Sequence, residues 1–340
     1  AYIFNVTTGA LLHTLDNPNS VGTSENDYFG RSVAISGNYA IVSAIFEDAG
    51  NGKAYIFDVD TGTLLHTLNN PSIGIYVFGW SVAITDNYAI VGSNPDGYSF
   101  SASDNAHIFD VTTGQLLHTL TNPNVYSTAS GDYFGQSVAI SGNYAIVGAY
   151  REDDASGTNS GKAYIYDAAT GSLLHTLDNP NAYDTSEEDR FGHSVAIDGN
   201  YAIVGAHAED DASGTNSGKA YIFDVTTGTL LHTLDNPNPY GTSADDQFGI
   251  SVSIDGNIAI VGAYQEDDAG GTQSGKAYIF DVTTGTLLYT LDNPNAYDTS
   301  EDDYFGWSVA ISGNYAIVGA YAEDDAGGTD SGKAYIFELP

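Results

Sequence analysis

Carboxylates are the side chains of this sequence best placed to do chemistry, because they recur in clusters at fixed spacing. Glu-Asp-Asp stands at Glu152-Asp153-Asp154, Glu209-Asp210-Asp211, Glu266-Asp267-Asp268 and Glu323-Asp324-Asp325, with a shorter Glu47-Asp48 ahead of them. A further Asp stands two residues before a Phe-Gly pair at Asp27, Asp132, Asp189, Asp246 and Asp303. Such oxygen donors, set among glycines that free backbone carbonyls, suit Ca2+, which takes about 6–8 hard oxygen ligands. The spacing is not that of an EF-hand loop. A Lys follows each cluster, at Lys53, Lys162, Lys219, Lys276 and Lys333. A Lys-carboxylate pair that organises the loop is therefore a competing reading, and hydrated carboxylates adapted to high salt are a third.

A second set is defined by variation. The residue after each Phe-Gly is the one position that refuses to repeat: Arg31, Trp80, Gln136, His193, Ile250 and Trp307. Two Trp in such a set would suit a sugar or a basic side chain. By contrast, His13, His66, His118, His175 and His232, with Tyr289 in the sixth copy, belong to six different repeats and are expected to pack and hydrogen-bond rather than share a metal.

Composition excludes several classes. The 340 residues carry 8 Lys+Arg against 44 Asp+Glu, a formal charge of −36, which would repel nucleic-acid phosphates and favours cations or basic partners. Cysteine is absent, so thiolate metal sites, cysteine nucleophiles and disulfides are too. No apolar run approaches the roughly 18–20 residues of a membrane span, and residues 1–20 lack the charged start and apolar core of a signal peptide. The expectation is a soluble chain, a mature or trimmed part of something secreted. No nucleophile motif and no phosphate loop before a helix is present.

The elements that position these residues come from internal repetition. Phe-Gly recurs at Phe29, Phe78, Phe134, Phe191, Phe248 and Phe305, spaced by 49, 56, 57, 57 and 57. Each period holds four runs rich in Val, Ile, Tyr and Phe, such as Ser137-Ile140, Tyr144-Ala149, Lys162-Asp167 and Leu173-Leu177. Ser141-Gly142-Asn143 reads as a tight hairpin and Asp167-Ala168-Ala169-Thr170-Gly171 as a longer one. Four antiparallel strands per period, each copy needing a neighbour to bury its faces, predict an all-β six-bladed β-propeller, with a β-solenoid as the runner-up. The blades are expected at about 16–68, 69–120, 121–177, 178–234, 235–291 and 292–340 plus 1–15, as one domain. The third-strand motif occurs once too often, at Ala1-Phe4 and again at Ala334-Phe337. The expected closure completes the last blade with Leu11-Leu15, while a seven-bladed ring, a fragment of a longer array, or self-association through the spare strand are the alternatives.

The blade resembles the FG-GAP repeat of integrin α chains and of many secreted bacterial proteins. Phe134-Gly135-Gln136-Ser137-Val138-Ala139, Val147-Gly148-Ala149 and Gly161-Lys162-Ala163-Tyr164-Ile165-Tyr166 carry the resemblance, and their counterparts extend it over the chain. It implies a propeller, an extracellular setting and a role in adhesion. The family's calcium loop, between the first and second strands, is not carried over, because that connection here is Ser-Gly-Asn, as at Ser36-Asn38. The Asp-x-x-Thr-Gly-x-Leu-Leu segment also looks like that of quinoprotein-type propellers, whose Trp pattern is missing.

Strand direction then places the long 2–3 and 4–1 connections, and with them the carboxylates, at one end of each blade. The variable residues after Phe-Gly fall at the same end, where they are expected to ring the mouth of a central channel. The second blade has Tyr76 for the paired Asp, Asn94-Pro95-Asp96 for Glu-Asp-Asp and Asn105 for the Lys, so the three features vanish as one unit. Its Ile75-Tyr76-Val77 and Tyr98-Ser99-Phe100 form either a docking patch or a degenerate copy. The function expected is a non-enzymatic secreted or surface-displayed binding module with an acidic, Ca2+-binding loop face and a protein or glycan ligand, basic in character. A structural or self-assembling repeat protein, or a propeller enzyme such as a glycosidase, lyase or quinoprotein, are the alternatives.

Overall fold

The computed structural model describes residues 1–19, 26–72, 77–94, 105–124, 131–154, 157–181, 186–212, 214–238, 242–269, 271–295, 300–324 and 328–340. Asp325, Ile75, Tyr76 and Tyr98-Ser99-Phe100 lie outside the described residues. Two compact units are present, residues 1–152 with 164–175 and residues 153–163 with 176–340.

In the first unit, β1 (Tyr2–Phe4) pairs with β2 (Leu11–Thr14). Blade 1 follows as β3 (Phe29–Ser36), β4 (Tyr39–Ala44), β5 (Lys53–Asp58) and β6 (Leu64–Asn69). Blade 2 is β7 (Val77–Ile84), β8 (Tyr88–Asn94), β9 (Asn105–Asp110) and β10 (Leu116–Thr121). Blade 3, which draws residues from both units, is β11 (Phe134–Ser141), β12 (Tyr144–Ala149), β13 (Lys162–Asp167) and β14 (Leu173–Asp178). The second unit holds blade 4, with β15 (Ser194–Asp198), β16 (Tyr201–Ala206), β17 (Lys219–Asp224) and β18 (Leu230–Asp235). Blade 5 is β19 (Ser251–Asp255), β20 (Ile258–Ala263), β21 (Lys276–Asp281) and β22 (Leu287–Asp292), and blade 6 is β23 (Phe305–Ser312), β24 (Tyr315–Ala320) and β25 (Lys333–Glu338). Every sheet is a meander hydrogen-bonded in sequence order. The fold is all-β, six blades of the propeller class.

The expected closure of the last blade by Leu11-Leu15 is not what the pairing shows. The β2 strand is taken by β1, with Tyr2 opposite Thr14 and Ile3 opposite His13, and blade 6 has three strands among the described residues. The reason is proximity in the chain: a short turn closed by Asn5 N–H to Ala10 O at 2.9 Å joins the two strands, so little loop-closure entropy opposes them. Ile3 and Leu15 are buried with Ala40, Val42 and Tyr55 of blade 1.

Packing between blades repeats within each unit. Ile41, Ile56 and Leu68 of blade 1 bury against Phe78, Val82 and Ile84 of blade 2. Ile203, Ile222 and Leu234 of blade 4 meet Phe248, Val252 and Ile254 of blade 5 in the same way. The middle strands, such as β16 and β17, are buried on both faces and are accordingly continuous in apolar residues, as in Tyr201–Ala206. The Phe-Gly signature has a steric origin. Gly249 adopts φ +92° and turns its carbonyl oxygen onto Gly205 of the preceding blade, where a β-carbon would sit 2.0 Å away. Ser194 Oγ donates to that same oxygen at 2.7 Å, and Ser251 repeats the bond to Gly306 at 2.8 Å.

Candidate functional site

The glutamate of each acidic cluster is buried rather than solvated. Glu47, Glu152, Glu209, Glu266 and Glu323 are fully buried, and each accepts a hydrogen bond from the Tyr hydroxyl of the third strand in its own blade. The bonds from Tyr55, Tyr164, Tyr221 and Tyr278 measure 2.6–2.7 Å, and Tyr335 bonds Glu323 likewise. Burial, and then the carboxylate itself, push these phenols well above their ordinary range. In blade 5, burial pushes Glu266 up to about 8, with the Tyr278 hydroxyl opposing and Asp246 adding to the rise.

The Asp before five of the six Phe-Gly pairs is also buried and has its own donors. Asp27, Asp132, Asp189, Asp246 and Asp303 each take two side-chain amides on Oδ2, from Asn17 and Asn19, Asn122 and Asn124, Asn179 and Asn181, Asn236 and Asn238, and Asn293 and Asn295. For Asp246 these bonds span 2.7–2.8 Å, yet burial outweighs them and its pKa rises to about 6.

The remaining carboxylates tie the loop together. Asp153, Asp210, Asp267 and Asp324 accept backbone N–H groups six residues on, at 2.7–2.9 Å. Asp154 and Asp211 accept from Gly157 and Gly214, both at 3.2 Å. Lys53 pairs with Glu47 and Asp48 at 2.9 and 2.8 Å, and Lys333 with Glu323 at 2.6 Å. Lys162, Lys219 and Lys276 reach Asp154, Asp211 and Asp268 at 3.4, 3.7 and 3.2 Å, and each also bonds an Asp at the end of the fourth strand, Asp178, Asp235 or Asp292. Burial alone would lower Lys276, but its bonds to Asp292 and Asp268 win and raise it.

The described carboxylates among those proposed from sequence to share a Ca2+, all but Asp325, are thus individually engaged by protein donors. Among the described residues no group of three or more His, Cys, Asp or Glu is disposed to hold a metal ion. The arrangement fits the Lys-carboxylate reading of the loop. The sequence reading missed the Tyr and the Asn pair, although a signal for both was present: blade 2, which lacks the Glu, carries His107 in place of the Tyr and Ser72 in place of the second Asn. Burial lowers His107 to about 4, and its Nδ1 lies 3.2 Å from Thr119 Oγ1.

The fourth-strand histidines are structural, as expected. His13, His66, His118 and His232 each bring Nε2 within 2.9–3.1 Å of a backbone carbonyl in the Asp-x-x-Thr-Gly hairpin of the next blade.

The variable residues gather locally, blade by blade, with two further positions beside them. The residue before Phe-Gly and the residue after the second strand join the one after Phe-Gly. In blade 4 the three are Arg190, His193 and His207, with the two imidazoles 4.3 Å apart, His207 buried and His193 half-buried. Burial lowers His193 to about 4 against an opposing bond with the Ile250 backbone, and burial, then His193 and Arg190, hold His207 well below its ordinary value. In blade 3, Tyr133 and Tyr150 lie 5.2 Å apart, and Gln136 is half-buried. Blade 6 supplies Tyr304, Trp307 and Tyr321: the two Tyr rings are stacked at 5.1 Å and Trp307 sits edge-on to Tyr321 at 5.2 Å. Tyr264 of blade 5 completes that cluster, 4.7 Å from Trp307, while Ile250 is buried. Arg31 holds its guanidinium 4.5 Å over the ring of Trp80. Tyr28, Tyr133, Arg190, Gln247 and Tyr304, all before Phe-Gly, share a positive φ of 54–59° that non-glycine residues rarely adopt. The variable residue before Phe-Gly thus holds a strained backbone geometry in five of the six blades.

Blades with a glycine-apposed inner strand, a buried Glu-Tyr pair and a capped hairpin define a repeat-built β-propeller. The FG-GAP repeat family matches residues 21–57, 127–166, 181–223, 239–280 and 295–337, together more than half of the chain, and the chain belongs to that family. The matches omit blade 2, the copy without the Glu-Tyr-Lys unit. A search of curated proteins gave no match.

Proposed function

We propose that this chain is a non-enzymatic extracellular binding module whose ligand contacts are the variable side chains at the inner-strand ends. The observation that carries the reading is the gathering of three variable positions, as in blades 4 and 6, on a scaffold most of whose other positions recur. A scaffold that keeps its packing glycine, Glu-Tyr pair and hairpin His in five of the six blades, yet differs at one cluster per blade, is what a ligand surface produces. Catalysis instead needs a few unlike groups converging with opposed pKa values, and the near-identical acidic units supply the same chemistry five times over. The acidic loops hold the inner-strand ends in position and set a negative field that favours basic partners. An extracellular setting agrees with the family and with the finding that, among the described residues, no helix is long and apolar enough to cross a membrane.

Arrays of glycans and of acidic, neutral and basic peptides test the proposal, run with the protein and with its Trp80→Ala, His193→Ala and Trp307→Ala variants. A ligand whose binding falls in at least one variant while the melting temperature holds supports it. Ligands insensitive to all three variants would count against it.

Self-assembly has one observation in its favour. Val33 and Ile35 of blade 1 are 58% and 60% exposed, whereas Val82 and Ile84 at the same positions of blade 2 are buried. Ile317 and Ile336 of blade 6 are exposed where Ile203 and Ile222 are buried. A second copy joined head to tail would cover both faces, and light scattering across a concentration series decides between a monomer and a growing species.

A further inference from the structure

Within this chain, aromatic residues at the variable positions are already capped by arginine. Arg151 lies 4.7 Å over the ring of Tyr133 and 5.5 Å from that of Tyr150. Arg31 lies 4.5 Å over Trp80. These are two of the chain's arginines, the other being Arg190.

Blade 6 combines both acceptors and has lost both donors. Tyr304 and Tyr321 occupy the positions of Tyr133 and Tyr150, and Trp307 occupies that of Trp80. The residue matching Arg151 is Ala322, and the residue of the preceding blade that matches Arg31 is Ile250. Trp307 and Tyr321 are 45% and 51% exposed. The surroundings are negative, since Asp302 and Asp330 act on Tyr304, and Asp330 on Tyr321, after burial in raising their phenols.

We propose that Tyr304, Trp307 and Tyr321, with Tyr264 beside them, form a receptor for the guanidinium of an arginine carried by a protein or peptide partner. The proposal rests on the reading of the variable positions as ligand contacts and names the chemistry of one of them. A planar cation stacks on the π-faces of the Tyr pair and the Trp, as Arg151 and Arg31 do in blades 3 and 1, and the acidic field draws it in. An ammonium, more strongly hydrated and not planar, fits the stack less well. A neutral sugar could use the same rings but gains nothing from the field.

The test titrates the protein with fluorescein-labelled hexa-arginine, hexa-lysine and a neutral hexasaccharide at physiological salt. Hexa-arginine is expected to bind best, and Trp307→Ala and Tyr321→Ala to weaken it about tenfold each. Ala322→Arg, which rebuilds the cap of blade 3, is expected to abolish the preference for arginine over lysine. Gln115→Arg, which adds the same charge on an exposed hairpin, is expected to leave that preference intact. Equal binding of the two peptides, unaffected by Ala322→Arg, would overturn the proposal in favour of diffuse electrostatics. Tight saccharide binding blocked by Ala322→Arg would also overturn it, while leaving the binding-module reading in place. Melting curves of every variant separate loss of the site from loss of the fold.

Discussion

Gly205 and Gly249, from adjacent blades, meet so closely that a β-carbon on Gly205 would lie 2.0 Å from the Gly249 carbonyl oxygen. Gly205→Ala is therefore expected to force β16 away from the start of the inner strand of blade 5 and to cost about 3 kcal/mol, as overpacking of a close backbone contact does. Urea denaturation measures it, and a loss below about 0.5 kcal/mol would show that the blades can slide to make room.

Tyr278 is the hydroxyl donor to buried Glu266, at 2.6 and 2.7 Å. Tyr278→Phe removes that donor without changing the packing of the ring. The expected loss is about 1–3 kcal/mol, the cost of stripping a buried acceptor of its partner, measured by the same denaturation curve.

Stability should also fall as pH rises. Glu266 and Asp246 are pushed up by burial from ordinary values of 4.5 and 3.8 to about 8 and about 6. Their folded-state pKa values exceed the unfolded ones, so their contribution is complete below the unfolded values and is lost as pH climbs through about 6 and then about 8. The hairpin carboxylates Asp110 and Asp224, lowered first by the Thr112 and Thr226 hydroxyls, act oppositely and withdraw their support as pH drops below the ordinary 3.8. Thermal melts should accordingly peak in mildly acidic buffer, and Glu266→Gln should flatten the decline between pH 5 and 8.

Calcium should matter little to the fold. The clustered carboxylates are held by Tyr, Asn, Lys and backbone donors, so melting curves in Ca2+ and in EDTA at matched ionic strength are expected to coincide. A rise of several degrees in Ca2+ alone would mean that these groups reorganise around the ion.

His232 spans two blades through Nε2, which lies 3.1 Å from the Thr283 carbonyl oxygen. His232→Phe keeps the ring and loses the bond, with an expected cost of about 1 kcal/mol.

Much of this was legible in the sequence because the repeat samples each position several times. The Phe-Gly spacing, four β-rich runs and Gly-closed hairpins specify strands without ambiguity, and the capping role of His13 and His232 followed from their separation on different blades. The acidic clusters were harder. Glu266-Asp267-Asp268 reads as one run of like charge, normally a solvated face, yet its first member is buried, its second caps a turn and its third pairs with Lys276. Only the coincident replacement of the third-strand Tyr by His107 in blade 2 betrays the pairing. The strand order at the N-terminus was not legible either, since Ala1-Phe4 and Ala334-Phe337 are near-copies and loop length, not side-chain identity, gives β2 to β1.

The central claim is that ligand contacts reside in the variable cluster and the fold resides in everything else. Replacing Tyr304 by Gln and Trp307 by Ile makes blade 6 read as blade 5 at these positions, where Gln247 and Ile250 already serve the scaffold. The decisive measurement is array binding and thermal melting of this double variant beside the parent protein. The account predicts an unchanged melting temperature with loss of the ligands that depend on blade 6. Full retention of every ligand, or a collapse of stability together with binding, would contradict it.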